Sequence, residues 1–552
     1  MSQFHIHNRT RAQESSGAIE RLYITMRHLF NRGFYKPMGV SGETLRESLL
    51  ILRPEIYGSI TEEKIELQGL LYVIDRLPYG IEECRFINLT SDEGYKNSHF
   101  KPIIPKKRRR NCYRIDSEQM NIEVTRGRSE IYDILTHLTF LYIESHKIMH
   151  QVLVDEDGEL IRDWLKLEEA VLASKKLTQK EMEIALTHTA SFLGRTFEEV
   201  RAVYPDFACP EDEHRFLKII YFLGKGAIRE ALKNQKRLIT FSPVLRERLG
   251  HHIHGERWAH AIKQKLEALN LIGRPLHVIS ANMHSVMNSL YATKALANDL
   301  KGKSNLEIYQ TLSQPEQGKL RDKVQKYAMK NGMAQINDES GTNIDVQLFD
   351  TQKLTADPHA EAPVIIVMDY AFGEQAYETM DELLKPYNKG NEKMLLDVVS
   401  VSIMGKAGIL SGGKGDIMIP TSHIFEGTAD NYPFTNKLAA EDFEKQGLNV
   451  CAGAMITVLG TSLQNREILR FFHESTWDVI GLEMEGAHYQ KAIQSASKIR
   501  KSIREDVAVR YAYYASDNPL ETGSTLASGG LGTTGVKPTY LITENILKQI
   551  LK

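Results

Sequence analysis

The sequence predicts two parts: a mainly α-helical N-terminal half, residues 1–270, and an α/β domain over residues 271–552. Three observations carry this. Apolar residues recur at spacings of three and four from Ala18 to Lys265, the mark of helices that bury one stripe. Around Leu271–Pro275, L-I-G-R-P, that pattern stops, and short apolar runs of strand type then alternate with helical segments. A chain of 552 residues also exceeds what one core usually supports.

Composition narrows the class. Hydrophobic residues at 42% and charged residues at 25% are ordinary for a soluble globular chain, which excludes a compositionally disordered one. A net charge of −2 gives no global attraction to nucleic acid or membrane, so such partners are not expected. The cysteines Cys84, Cys112, Cys209 and Cys451 are scattered and form no C-x-x-C pair, which fits a reduced, cytoplasmic setting. The N-terminus, M-S-Q-F-H-I-H-N-R-T-R, lacks the apolar core of a secretory signal, and no apolar run approaches the roughly 18 residues of a membrane span.

Within the first half, Glu130–His150 places Ile131, Ile134, Leu135, Leu138, Leu141, Tyr142, Ser145 and Ile148 on one broad stripe, which predicts a core helix. Glu256–Asn270 repeats the pattern with Trp258, Ile262, Leu266 and Leu269. Asn88–Asn111 reads as a loop ending in the basic run Lys106–Arg110, K-K-R-R-R. Five adjacent cations suit phosphate, yet no aromatic residue interleaves with them; a solvated loop is the first reading and an anionic effector site the second. His251, His252, His254 and His260 lack metal-site spacing and are expected to be structural or superficial.

In the second half Leu276–Ala281 reads as a strand and His284–Leu300 as a helix. Lys301–Thr355 is polar and hard to assign, with an edge strand at Asn343–Phe349. Pro363–Met368 is a buried strand that passes through D-Y-A-F-G-E into a helix at Gln375–Lys385. Strands follow at Leu396–Met404, Ile417–Pro420 and Gly453–Leu459. Gly408–Lys414 nearly fits the P-loop template, but Gly415 replaces the hydroxyl residue that would hold Mg²⁺, and the segment feeds a strand rather than a phosphate-cradling helix. A nucleoside triphosphatase is rejected. Gly405 and Gly408 instead let the backbone pass close to a ligand, or simply mark a turn.

Two strand ends then carry acids. Val479, Ile480 and Leu482 lead into Glu483, Met484 and Glu485, and the chain turns helical at Gly486. Val507–Ala515 is a buried strand that delivers Ser516 and Asp517 before a proline turn. Ligands of open α/β sheets bind at such ends, so the two suggest one pocket.

In their order, M-G-K-A-G-I-L, G-D-I-M-I-P, E-M-E-G-A and S-D-N-P resemble the purine nucleoside phosphorylase and nucleosidase superfamily over residues 270–552. The stretch Ile365–Ala376, containing V-M-D-Y-A-F-G-E-Q-A, looks like an element of AMP nucleosidases, whose two-domain layout the chain also shares. The resemblance implies a doubly wound, nucleoside-phosphorylase-like C-terminal domain that breaks the N-glycosidic bond of a purine nucleoside or nucleotide. It implies Met484 beneath the ribose, Glu485 on its hydroxyls, Glu483 in support, Ser516 beside Asp517, Asp517 facing purine N7, and Gly405 near the ribose or its anion. It further implies a homo-oligomer and no cofactor.

The chemistry asks for the same residue types. Cleavage builds an oxocarbenium-like sugar and an anionic purine, so the base must be protonated. Asp517 serves if burial raises its pKa, and an ionised Glu485 would face the developing positive charge. Asp517 equally suits a turn before Asn-Pro, and Glu483 and Glu485 suit helix capping. Phosphorolytic members commonly carry an arginine where this chain has Ile403, which favours water as nucleophile, although Lys406 can supply charge. Lys406 and Arg466, in T-S-L-Q-N-R-E, are the candidates for a 5′-phosphate, or ordinary surface cations. Thioadenosine-type nucleosidases place acids after the first strand; S-A-N-M-H-S stands here, leaving His284 or a carboxylate from another loop as base. The Gly/Ser/Thr-rich segment after Asp517 fits a lid or a surface loop. The expectation is a purine nucleosidase with AMP as the best substrate, against a phosphorylase or a nucleotide sensor without turnover.

Overall fold

The computed structural model describes residues 2–155, 157–173, 177–354, 362–390, 392–443, 446–522 and 532–552, with backbone alone at 2–10. Most of the segment expected as a lid, 523–531, lies outside the described residues. Helices that frame the site are α1 (Ser2–Arg32), α2 (Arg128–Val152), α3 (Arg215–Lys233), α4 (Ile253–Ala268), α5 (Met283–Ala295), α6 (Gln375–Leu383), α7 (Arg466–Glu474), α8 (Gly486–Gln494) and α9 (Val536–Ile550), with shorter helices between them.

The first half holds a five-stranded sheet besides its helices. Its strands are β1 (Phe34–Tyr35), β2 (Phe86–Thr90), β3 (Cys112–Arg114), β4 (Gln119–Glu123) and β5 (Leu238–Phe241), in the order β1-β5-β2-β4-β3. The predicted loop at Asn88–Asn111 therefore begins inside β2. These strands are too short for alternation to show against the surrounding helical spacing. α2 is buried on nearly every side from Ser129 to Ser145, so it is the centre of this half rather than a one-sided helix.

The second half is a ten-stranded mixed sheet of β6 (Leu276–Ser280), β7 (Met333–Ile336), β8 (Val346–Asp350), β9 (Val364–Met368), β12 (Val398–Ile409), β13 (Ile417–Phe425), β14 (Asn431–Pro433), β15 (Val450–Thr457), β16 (Val479–Glu483) and β17 (Ala508–Asp517), while β10 (Tyr387–Lys389) pairs apart with β11 (Glu392–Met394). The order is β14-β13-β15-β16-β12-β6-β9-β8-β7, with β17 paired to β12 and β13. α4, α6 and α8 cover one face, where Trp258, Met380 and Tyr489 pack on Val278, Ile403 and Tyr513. α5 and α9 cover the other, where Val286 and Ile542 pack on Ile365 and Met404. Helices on both faces explain the continuous apolar runs of β6, β9 and β12.

The halves share a core. The cluster around α2 and α3 continues into Ile424, Ile456, Ile468, Val479 and Leu482, on β13, β15, α7 and β16. Burying that apolar surface drives the first half onto this end of the second sheet. No helix among the described residues is long and apolar enough to cross a membrane.

The basic run corrects the expectation of a solvated loop. Arg108 makes a fork on Asp133, with Nε–Oδ2 2.9 Å and a terminal nitrogen to Oδ1 at 2.7 Å, and Arg110 adds a bond to Oδ2 at 2.8 Å. Both arginines are largely buried, whereas Lys106 and Arg109 stay exposed. Buried guanidinium groups need such partners. His254 is also internal, held between Ser91 Oγ at 3.1 Å and the Ser340 carbonyl at 2.7 Å.

Candidate functional site

Register brings the two acid-bearing strand ends together. Gly408 of β12 pairs with Leu482 of β16 on one side and, past an irregularity at Ala407, with Asp517 of β17 on the other. Two strand spacings separate these neighbours, about 10 Å. Asp517 is only 4% exposed. Ser516 donates its hydroxyl to Asp517 Oδ1 at 2.5 Å, and Oδ2 has no partner among the described residues. Burial pushes the Asp517 carboxyl up, against the lowering influence of Ser516, Lys406 and Lys414.

Glu483 has the opposite surroundings. It accepts from Thr457 Oγ1 at 2.5 Å, from the backbone of Glu485 at 2.5 Å and from that of Gly486, and His423 stands 3.4 Å away. These donors, with His423 first, hold its carboxyl below the ordinary value despite full burial. It therefore fixes the first turn of α8. Glu485 turns away and accepts the backbone N–H of Gly373 at 2.9 Å. Its carboxyl lies deep, and burial together with Glu483 pushes it up to about 8. The expectation of an ionised Glu485 is thus corrected: at neutral pH it keeps its proton, because a second negative charge beside Glu483 is costly there.

Met484 faces the first half, lining a cavity of about 10 Å³ with Arg108, Ser129, Asp133, Phe372 and Thr461. That is room for roughly one water. Gly405 lies under Tyr370: a Cβ there would stand 3.4 Å from the ring, so glycine permits the contact. The Tyr370 ring is 42% exposed, while its hydroxyl is engaged with Tyr514 and the backbone of Asn282.

Lys406 is exposed, sits opposite Tyr514 in the ladder, and lines a cavity of about 470 Å³ with His284, Asn288 and Arg321. No carboxylate is among the described lining residues, and neither Asp517 nor Glu485 is. Arg321 is held by the carbonyls of Leu312, Gln314 and Pro315 at 2.6 to 2.9 Å, which spends hydrogen bonds but leaves its charge unbalanced. Burial and Arg321 push the His284 imidazole below its ordinary value, against the raising influence of Asp369. Asn288, 3% exposed, donates to Tyr540 at 2.7 Å and leaves its Oδ1 free.

Arg466 stands apart from this group. It begins α7, its side chain runs to Glu55 of the first half at 3.9 Å, and its backbone N–H also meets Glu55. The structure thus does not bring it to the cavity of Lys406, which Arg321 lines instead. Arg321 gave no signal in the polar stretch after residue 300. Tyr370 did, since it directly follows a buried strand, where side chains reach a ligand edge.

A family model described as a family of unknown function, DUF6909, matches residues 43–300 and 305–552. The chain belongs to this family. No curated protein matches its sequence. Among solved structures it is similar to a 5′-methylthioadenosine/S-adenosyl homocysteine nucleosidase of Campylobacter jejuni, at 11% identity over 50% of this chain and 98% of that one, TM-score 0.31. Futalosine hydrolase of Helicobacter pylori gives 13% identity over 50% and 99%, TM-score 0.30. A putative methylthioadenosine nucleosidase of Weissella paramesenteroides gives 14% over 50% and 99%, TM-score 0.30. Likeness at this level carries no chemical weight, and the DUF6909 site rests on its own residues.

Proposed function

We propose that the second half hydrolyses the N-glycosidic bond of a purine nucleoside or nucleotide, with AMP as the best substrate. One observation carries the reading: Asp517 is a nearly buried carboxyl at a strand end, with one oxygen held by Ser516, the other without a partner among the described residues, and its pKa raised by burial. Such a group donates to a leaving base. The proton passes from Asp517 to purine N7, the bonding pair between C1′ and N9 leaves with the base, and water adds to the sugar. His284 takes the proton that the water loses. Glu485 hydrogen-bonds the ribose hydroxyls, and Lys406 with Arg321 holds the 5′-phosphate through charge-assisted bonds.

The test is incubation with AMP, adenosine and inosine, with and without inorganic phosphate, followed by chromatography of free base. Base released from AMP without phosphate supports the reading; strict dependence on phosphate converts it to phosphorolysis.

A second reading, nucleotide sensing without turnover, is favoured by one observation. The 470 Å³ cavity is lined by neither carboxylate, and Met484 is closed over by the first half. Binding of AMP without release of adenine under any condition supports it.

A further inference from the structure

A separate cavity of about 430 Å³ lies between α1, the start of α2, and the C-terminal ends of β13 and β15, bounded by His488 and Lys491 of α8. Its volume is within the range of small-molecule sites. At its inner wall stands Glu426, 2% exposed. The backbone N–H of Leu459 engages this carboxyl, while Oε1 has no partner among the described residues. The backbone of Glu426 is fixed on both sides: its N–H donates to the Thr457 carbonyl at 3.1 Å, and its own carbonyl accepts from Ser16 at 3.2 Å. A carboxyl this deep, met by a single backbone donor, keeps its proton at neutral pH, and burial pushes it up to about 8.

A protonated carboxyl presents an O–H donor beside a carbonyl acceptor. Adenine and cytosine present the complement, a ring nitrogen that accepts beside an exocyclic amine that donates. Guanine and uracil offer the reverse pair, an N–H beside a carbonyl, which the same carboxyl also matches, so the acid reads a nucleobase edge rather than one base. Aromatic surface is at hand: Phe425 meets His488 edge to face at 4.8 Å, and Lys491 lies 5.5 Å over the Tyr377 ring. Arg27 and Lys491 are exposed and make no ion pair within 4.0 Å among the described residues. Arg128 is only loosely matched to Glu374, at 3.5 Å.

We infer that this cavity is a second ligand site, for a nucleoside monophosphate whose base edge pairs with Glu426 and whose phosphate is held by Arg27, Arg128 and Lys491. The site does not depend on what Asp517 does.

Hydrogen exchange on the full chain with AMP, CMP, UMP and inorganic phosphate tests it. AMP, CMP and UMP each slow exchange at residues 19–27, 425–430 and 488–491, and bind about tenfold or more tighter than inorganic phosphate, which leaves the acid unpaired. Phosphate alone does not reproduce the pattern. Glu426→Gln retains both hydrogen-bonding roles and keeps binding, Glu426→Ala loses it, and Arg27→Ala, at an exposed position, weakens it without altering the fold. Asp517→Asn leaves it unchanged. Equal protection by phosphate overturns the inference. So does protection that Asp517→Asn abolishes and Glu426→Ala spares, or none of the three segments responding to any of the four probes.

Discussion

Glu483 and Asp517 stand on strand ends either side of β12, and their surroundings differ in kind. Glu483 is saturated, with Thr457, two backbone N–H groups of α8 and His423 around it, and its charge is stabilised in spite of burial. Asp517 has one hydroxyl partner and an oxygen with none among the described residues. Leaving a buried acceptor unpaired costs about 1–3 kcal/mol, a cost that folding alone gives no reason to bear. The comparison teaches which of two similar acids holds structure and which is available to a ligand. Saturation marks the first, and a free oxygen marks the second.

The sharpest way to break this contrast is Asp517→Asn. If Asp517 is the proton donor, release of adenine from AMP falls by about 10²- to 10⁴-fold, the usual worth of a general acid, while the melting temperature barely changes. Unchanged release would remove Asp517 from the chemistry. Glu483→Ala should do the reverse in kind. It leaves the donors of α8 and Thr457 without an acceptor and costs about 3 kcal/mol in denaturant unfolding, with any loss of activity following from loss of fold. A drop below about 1 kcal/mol, the worth of a single ordinary hydrogen bond, would show that the saturation has no structural weight.

Glu485 sharpens the same comparison through pH. Its folded pKa, about 8, lies above the unfolded value, so the folded state keeps a proton that the unfolded state has released. Its contribution is fully present below the unfolded value and is lost as pH rises through 8. The slope reaches at most about 1.4 kcal/mol per pH unit. Glu485→Gln flattens that decline, which unfolding curves between acid and pH 8 measure. Glu483, with its depressed pKa, works the other way, contributing stability that is lost as pH falls through its folded value. A decline identical in wild type and Glu485→Gln would mean that Glu485 is ionised in the fold.

What the sequence made legible follows from how local each signal was. The strands β6, β9, β12, β16 and β17 were readable because each is an apolar run with a Gly, Pro or acid at one of its ends, and helices on both faces keep such runs continuous. β2, β4 and β5 are four or five residues long within a helical background, so their pattern was masked. At the site, the acids at 483, 485 and 517 stood out as polar residues ending apolar runs, but their protonation did not, since it depends on neighbours distant in the chain. Gly373 meets Glu485 from 112 residues away, and Thr457 meets Glu483 from 26. Arg108 was misjudged for the same reason: a basic run looks solvated until Asp133, 25 residues on, is placed against it.

The smallest expected effect separates two arginines. Arg466 was attractive by sequence, yet it reaches only Glu55, at 3.9 Å with both side chains about one-third exposed, a pair worth about 0–1 kcal/mol. Arg321 has no carboxylate partner among the described residues and shares its cavity with Lys406. If the phosphate of AMP docks there, Arg321→Ala raises KM for AMP by about tenfold, the loss of one charge-assisted bond, and leaves KM for adenosine unchanged. Arg466→Ala should change neither constant. The reverse outcome, with Arg466 sensed by AMP and Arg321 silent, would move the phosphate site to the α7 end of the sheet and detach it from Lys406.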